Sequence, residues 1–133
     1  MTERSLTTIF SNYLKEHSRD FTETYEFKMV KGLSFPFKSV QPHQIIGLQQ
    51  SKLGLWYKIQ DSPFGGNNQR FTSKKPFDGI WMKASEAFVV PIFYKERKYK
   101  KAFLIPIEEF LKFQGTSIKL TELESREFTC IHL

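Results

Sequence analysis

Cysteine is nearly missing from this chain. Cys130 is the only one among 133 residues, which excludes an intramolecular disulfide framework and suits a reducing, cytoplasmic setting. Long apolar runs are missing as well. No stretch approaches the roughly 18 apolar residues that a membrane span needs, so no membrane protein is expected. The opening MTERSLTT has no apolar core behind its single early Arg, and no secretory leader is expected either. The three histidines, His17, His43 and His132, lack metal-finger spacing and have one Cys to join them, which argues against a structural zinc. Gly65–Gly66 is not followed by the Lys-Ser/Thr of a phosphate loop, and no Ser stands in a nucleophile elbow.

Aromatics and positive charge are what the chain has in quantity. Aromatic residues make up 16% of it, with 14 Phe, enough large side chains to pack the core of one small domain over residues 1–133. The formal charge is +6, and most of it sits in one place. Tyr94–Lys101 (YKERKYKK) carries five basic residues and one acid, while Thr2–Asp20 balances three acids against three bases. A second basic cluster, Arg70, Lys74 and Lys75, lies in a polar stretch with Gly65, Gly66, Asn67 and Asn68. Both clusters fall between apolar runs, where turns belong, so the charge is expected on loop tips facing a polyanion. A solvated hairpin tip is the plain alternative.

Periodicity sets the elements. Leu6, Ile9, Phe10, Tyr13 and Leu14 recur at helical spacing, predicting a helix over about 3–17. Thr22–Val30 alternates, with Tyr25, Phe27 and Met29 on one face and Thr24, Glu26 and Lys28 on the other, as a strand does. Lys31–Gln41 reads as a loop. Pro42 suits the first turn of a second helix that runs to about Leu53, ahead of Gly54. Strands are expected at 55–59, 77–82, 87–94 and 102–107, a short helix at 107–113, and terminal strands at 116–120 and 128–133. Pro91 argues for an edge position or a bulge. The order implies a mixed α/β sheet with a helix on at least one face.

Glu26-Phe27-Lys28 is the segment with chemical content. Residues two apart on a strand share a face, with Cα atoms about 6.5–7 Å apart. A carboxylate and an ammonium held this way can bind a divalent cation, orient a water and stabilise charge developing on a phosphate. The triplet alone is unspecific, since Glu96-x-Lys98 matches it too, and an exposed strand face would look the same.

The surroundings are more specific. Ser34-Phe35-Pro36-Phe37 follows the triplet, and Pro42-His43-Gln44-Ile45 opens the helix after it. The whole run, EFKMVKGLSFPFKSVQPHQIIGLQ, resembles the core of the RecU-type Holliday-junction resolvases within the PD-(D/E)xK nuclease superfamily. There an E-x-K strand is followed by a short loop, an SFP-type turn and a helix carrying HQ. AFVVPIFYKERKYKKAFLIPIEEFLKF is similar to the family's closing strand–strand–helix unit. The resemblance implies a restriction-endonuclease-like mixed β-sheet flanked by helices, and an endonuclease acting on branched or duplex DNA with Mg²⁺ (or Mn²⁺). It implies Glu26 and Lys28 as active-site residues, with Gln44 at a polar position pointing from the helix into the site.

One departure concerns the second acid. The family places a metal-binding Asp on a strand before the E-x-K strand, whereas only 25 residues precede Glu26 here, mostly in the first helix. Pro76-Phe77-Asp78-Gly79 supplies a later candidate, as if the hairpin had moved behind the helix, so Asp78 is expected beside Glu26 on the metal. Asp20 and Glu16 remain alternatives, and Pro-x-Asp-Gly is also an ordinary turn. His43, near a helix N-terminus, could meet a phosphate or cap locally. Lys95, Arg97, Lys98, Lys100 and Lys101 join Arg70, Lys74 and Lys75 as expected DNA contacts. A resolvase must cut two symmetric strands, so a homodimer is expected, built on the apolar tail Phe128–Leu133 and the Pro91-containing strand. The non-enzymatic rival is a DNA-binding or assembly module with the same fold.

Overall fold

The computed structural model describes residues 1–17, 23–60, 77–82 and 86–133, with the backbone alone at 55–60 and 77–82. Helix α1 (Glu3–His17) starts where Thr2 Oγ1 accepts the Ser5 N–H at 3.2 Å, a side-chain cap for one of the orphan donors of the first turn. Glu3 at its start and Lys15 and His17 at its end complement the helix dipole. Strand β1 (Glu23–Val30) follows.

Beyond β1 the chain is more regular than its Gly and Pro content suggests. Ser34–Pro36 forms a short strand, β2, and Phe37–Ser39 a 3-10 turn, where a plain loop was expected. Helix α2 (Pro42–Ser51) has Pro at its first position, as expected. Strands β3 (Leu55–Gln60) and β4 (Phe77–Met82) pair antiparallel as a separate hairpin. Then come β5 (Glu86–Lys95), β6 (Tyr99–Pro106), α3 (Ile107–Leu111), β7 (Ser117–Lys119), α4 (Leu120–Ser125) and β8 (Thr129–His132). Helix α4 was not expected. Its two buried residues, Leu120 and Leu123, are one helical turn apart, too short a signal to stand out from the strand before it.

The main sheet is mixed and has the order β1-β5-β6-β8. β1 and β5 are parallel, and β6 and β8 are antiparallel to their neighbours. Both faces are covered. Leu6 and Phe10 of α1 pack with Val90, Ile92 and Ala102 on one face. On the other, Val89, Phe93, Phe103 and Ile105 meet Leu48 of α2, Phe110 of α3 and Leu123 of α4. This explains the unbroken apolar run of β5, because a strand buried on both sides does not alternate.

Pro91 is therefore neither at an edge nor in a bulge. β5 lies inside the sheet, and its ladder with β6 lapses at Val90 and Pro91. The register is unchanged on either side, with Val89 opposite Ile105 and Ile92 opposite Ala102. The missing N–H falls in that gap, and burial of both faces fixed the strand's central place. No helix among the described residues is long and apolar enough to cross a membrane.

Phe10 joins the two layers: its ring lies 4.9 Å from Phe27 and 5.6 Å from Tyr25, and it is fully buried. Phe10→Ala should destabilise the fold by about 3–5 kcal/mol in urea titration. Leu53→Ser, at a position 81% exposed, should change stability by less than about 0.5 kcal/mol.

Candidate active site

Alternation on β1 sends Tyr25, Phe27 and Met29 toward α1 and leaves Glu26 and Lys28 on the α2 side with Val30. There Lys28 Nζ stands 3.1 Å from Glu26 Oε1, the two side chains 18% and 25% exposed. Helix α2, which packs across β1 and β5, brings a third group. Gln44 Nε2 donates to the same Glu26 Oε1 at 2.6 Å. Residues separated by 18 positions thus meet on one oxygen. The fit is short because the acceptor is charged.

The orientation of Gln44 is set from behind. The Gln41 N–H donates to Gln44 Oε1 at 2.8 Å, and the Gln44 N–H donates to the Gln41 carbonyl at 2.9 Å. With its carbonyl taken by the backbone, the amide has only its NH₂ to offer Glu26. Gln41 was missed as a site residue. The Gln-Pro-x-Gln spacing, N-cap to third helical position, is the capping-box signal that could have revealed it.

The Gln44 hydrogen bond and the Lys28 ion pair both fall on Oε1. Among the described residues Oε2 accepts no hydrogen bond, and it is the oxygen a cation would use. The donor chemistry suits Mg²⁺, a hard ion that takes one or two carboxylates and completes its shell with water and phosphate oxygens. Among the described residues no three His, Cys, Asp or Glu side chains are placed to hold a metal ion. Asp78 lies on β4 opposite Ile59, and its side chain is outside the described residues. Asp20 is also outside them, and Glu16 is exposed in the last turn of α1.

His43 is exposed in the first turn of α2, next to Gln44. Lys95, Arg97 and Lys98 are exposed at the β5–β6 turn and Lys100 is half-buried on β6. Lys101 differs from them. Its Nζ is 2.6 Å from Glu124 Oε1, and that hydrogen bond holds its ammonium above the usual lysine range. Lys101 already has an anion. Arg70, Lys74 and Lys75 lie outside the described residues. Burial pushes the Cys130 thiol up from the usual cysteine range.

No family model, no curated protein and no solved structure matches this chain. The likeness to the resolvases rests on the residues quoted above and on nothing outside them.

The basic tip carries an unusual backbone. Lys98 N–H closes a turn on the Lys95 carbonyl at 3.0 Å, and Arg97 at its third position has φ 57°. That position favours Gly or Asn, and a larger side chain there costs about 1–2 kcal/mol. Arg97→Gly should therefore raise stability by about 0.5–1 kcal/mol in chemical denaturation, after the extra freedom of glycine in the unfolded chain is counted.

Proposed function

We propose that this protein is a divalent-metal-dependent DNA endonuclease with a restriction-endonuclease-like fold, acting as a junction resolvase. The observation that carries the reading is the meeting of Glu26, Lys28 and Gln44 from β1 and α2 at one carboxylate oxygen. These are the residues, and the two elements, that the resemblance to the PD-(D/E)xK nucleases assigns to an active site. The parallel pairing of β1 with β5, and the mixed sheet around it, support the same reading.

Glu26 would hold the cation, with Asp78 as the proposed second acid. A bound Mg²⁺ supplies Lewis-acid polarisation of the scissile phosphate and lowers the pKa of a water. Lys28 places its ammonium beside that carboxylate, where it orients the attacking water and offsets negative charge on the phosphate. Gln44, fixed by Gln41, keeps the Glu26 carboxylate in register. Lys95, Arg97, Lys98 and Lys100, at the far end of the β5–β6 hairpin, hold the DNA backbone. The tip is about 20 Å along β5 from Val89, the residue paired with Glu26.

One observation favours a second reading, a DNA-binding module without catalysis: among the described residues no three His, Cys, Asp or Glu side chains are placed together to hold a metal ion. Mg²⁺-dependent nicking of four-way junctions and linear duplex separates the two. Wild type should nick junctions; Glu26→Gln and Lys28→Ala should lose about 100-fold or more in rate with DNA binding retained. Gln44→Ala, which removes an orienting partner, should lose about 10–100-fold. A wild type that binds DNA and never cuts it in Mg²⁺ or Mn²⁺ would leave the binding module. The resolvase form of the reading requires a twofold dimer, for which β8, at the sheet edge, offers an antiparallel pairing strand. Light scattering should give a dimer; a monomer cutting linear duplex as fast as junctions reduces the proposal to a general nuclease.

Salt dependence tests the basic tip. The logarithm of the binding constant should fall with log salt by about 0.9 per phosphate neutralised on duplex DNA. Charge reversal at Lys98 and Lys100 should flatten that slope; an unchanged slope would assign the tip to solvent.

A further inference from the structure

We infer that the cleft beside the turn of the β5–β6 hairpin receives one unpaired nucleotide of the DNA, its base against Tyr99 and its flanking phosphates on Lys31 and Lys95. The inference rests on the DNA-endonuclease reading for its occupant and adds the structural feature that the protein reads.

The cleft has a volume of about 310 Å³ and lies between the loop after β1 and the end of the hairpin. Its walls differ in kind. Tyr99 is half-buried and packs against the core below, with the Lys101 ammonium 5.8 Å from its ring centroid. Leu33, 67% exposed, is an apolar wall on the loop side. Lys31 and Lys95 stand at the rim, and Glu96 adds one carboxylate.

An aromatic platform with a cationic rim is the arrangement that takes a base and its phosphates from a single strand. A carboxylate there can accept from an exocyclic amine. An apolar peptide would not need the lysines, and Arg97 and Lys98 on the adjoining turn extend the same charge outward. A paired base hides both of its faces in the stack, so the ring can meet only a base that has left it. Branch points and gaps present such bases. Lys31 follows β1 directly, five residues from Glu26. The span is about 16 Å, or roughly five base-pair steps of duplex.

Gly32 supplies the test. It lines the cleft, its φ is ordinary, and a Cβ there would meet no heavy atom within 4 Å. Gly32→Phe therefore fills the space without removing a charge or straining the chain. The probes are a blunt duplex and the same duplex with one unpaired 2-aminopurine, bound by the full chain in EDTA and read by anisotropy and fluorescence.

Wild type should bind the second probe about tenfold more tightly and quench its fluorescence by stacking. Gly32→Phe should lose both effects and keep its blunt-duplex affinity. Tyr99→Leu, which keeps an apolar side chain over the core, should lose the quenching, with thermal melting as the check that each variant is folded. Equal affinity of wild type for the two probes overturns the inference, as does a preference that survives Gly32→Phe. Preference without any Mg²⁺-dependent cutting supports the cleft and overturns the nuclease reading. Failure to bind either probe overturns both.

Discussion

β1 and β5 run parallel, with Glu26 opposite Val89 and Lys28 opposite Pro91, and a parallel pair cannot be joined by a tight turn. The chain must leave the end of β1, cross the sheet and return. Helix α2 lies on that path and packs over both strands, so its first turn comes down on the face of β1 that bears the charged residues. A helix starting at Pro42 then aims its third residue at Glu26, while the Gln41 backbone fixes which end of the amide arrives first. The cluster is thus a consequence of strand direction. Antiparallel pairing of the same two strands would have needed no such helix.

The charge of the molecule is sorted by the fold as well. Lys52 pairs with Glu108 and stands 3.7 Å from Glu86, linking the end of α2 to α3 and β5. Lys112 with Glu109, and Arg126 with Glu122, are pairs one turn apart. Lys101 answers Glu124. Exposed pairs of this kind add little stability, commonly under about 1 kcal/mol each. Their effect is to cancel positive charge over the body of the domain. Among the described residues, the cations at the β5–β6 turn have only Glu96 beside them, so positive charge gathers at that turn. The left-handed Arg97 belongs to that turn, a strained residue at an exposed position.

Much of this was readable beforehand, for local reasons. Helical spacing of Leu6, Phe10 and Tyr13 and the alternation of Tyr25, Phe27 and Met29 gave α1 and β1 nearly to the residue, because each pattern follows from the backbone geometry of its own segment. The same alternation put Glu26 and Lys28 on one face. Short elements were not readable. β2 pairs with β7 more than 80 positions away, and α4 is defined by two leucines and by Leu120 N–H bonding to the Leu33 carbonyl at 2.9 Å. Neither has enough residues to show a period of its own.

The sequence by itself determined which residues could face one another within a segment, since rise and twist per residue are properties of the local chain. It thereby settled the positions of the longer helices and strands, the shared face of Glu26 and Lys28, and the start of α2 at Pro42. Only the tertiary structure decided which segments became neighbours. It placed Pro91 in the interior of the sheet, gave Lys101 to Glu124, turned Gln44 onto Glu26 and opened the cleft beside Tyr99. Those outcomes depend on burying both faces of β5 at once. Many pairings satisfy the local pattern equally well, and the contest among them is won by apolar area removed from water across the whole domain.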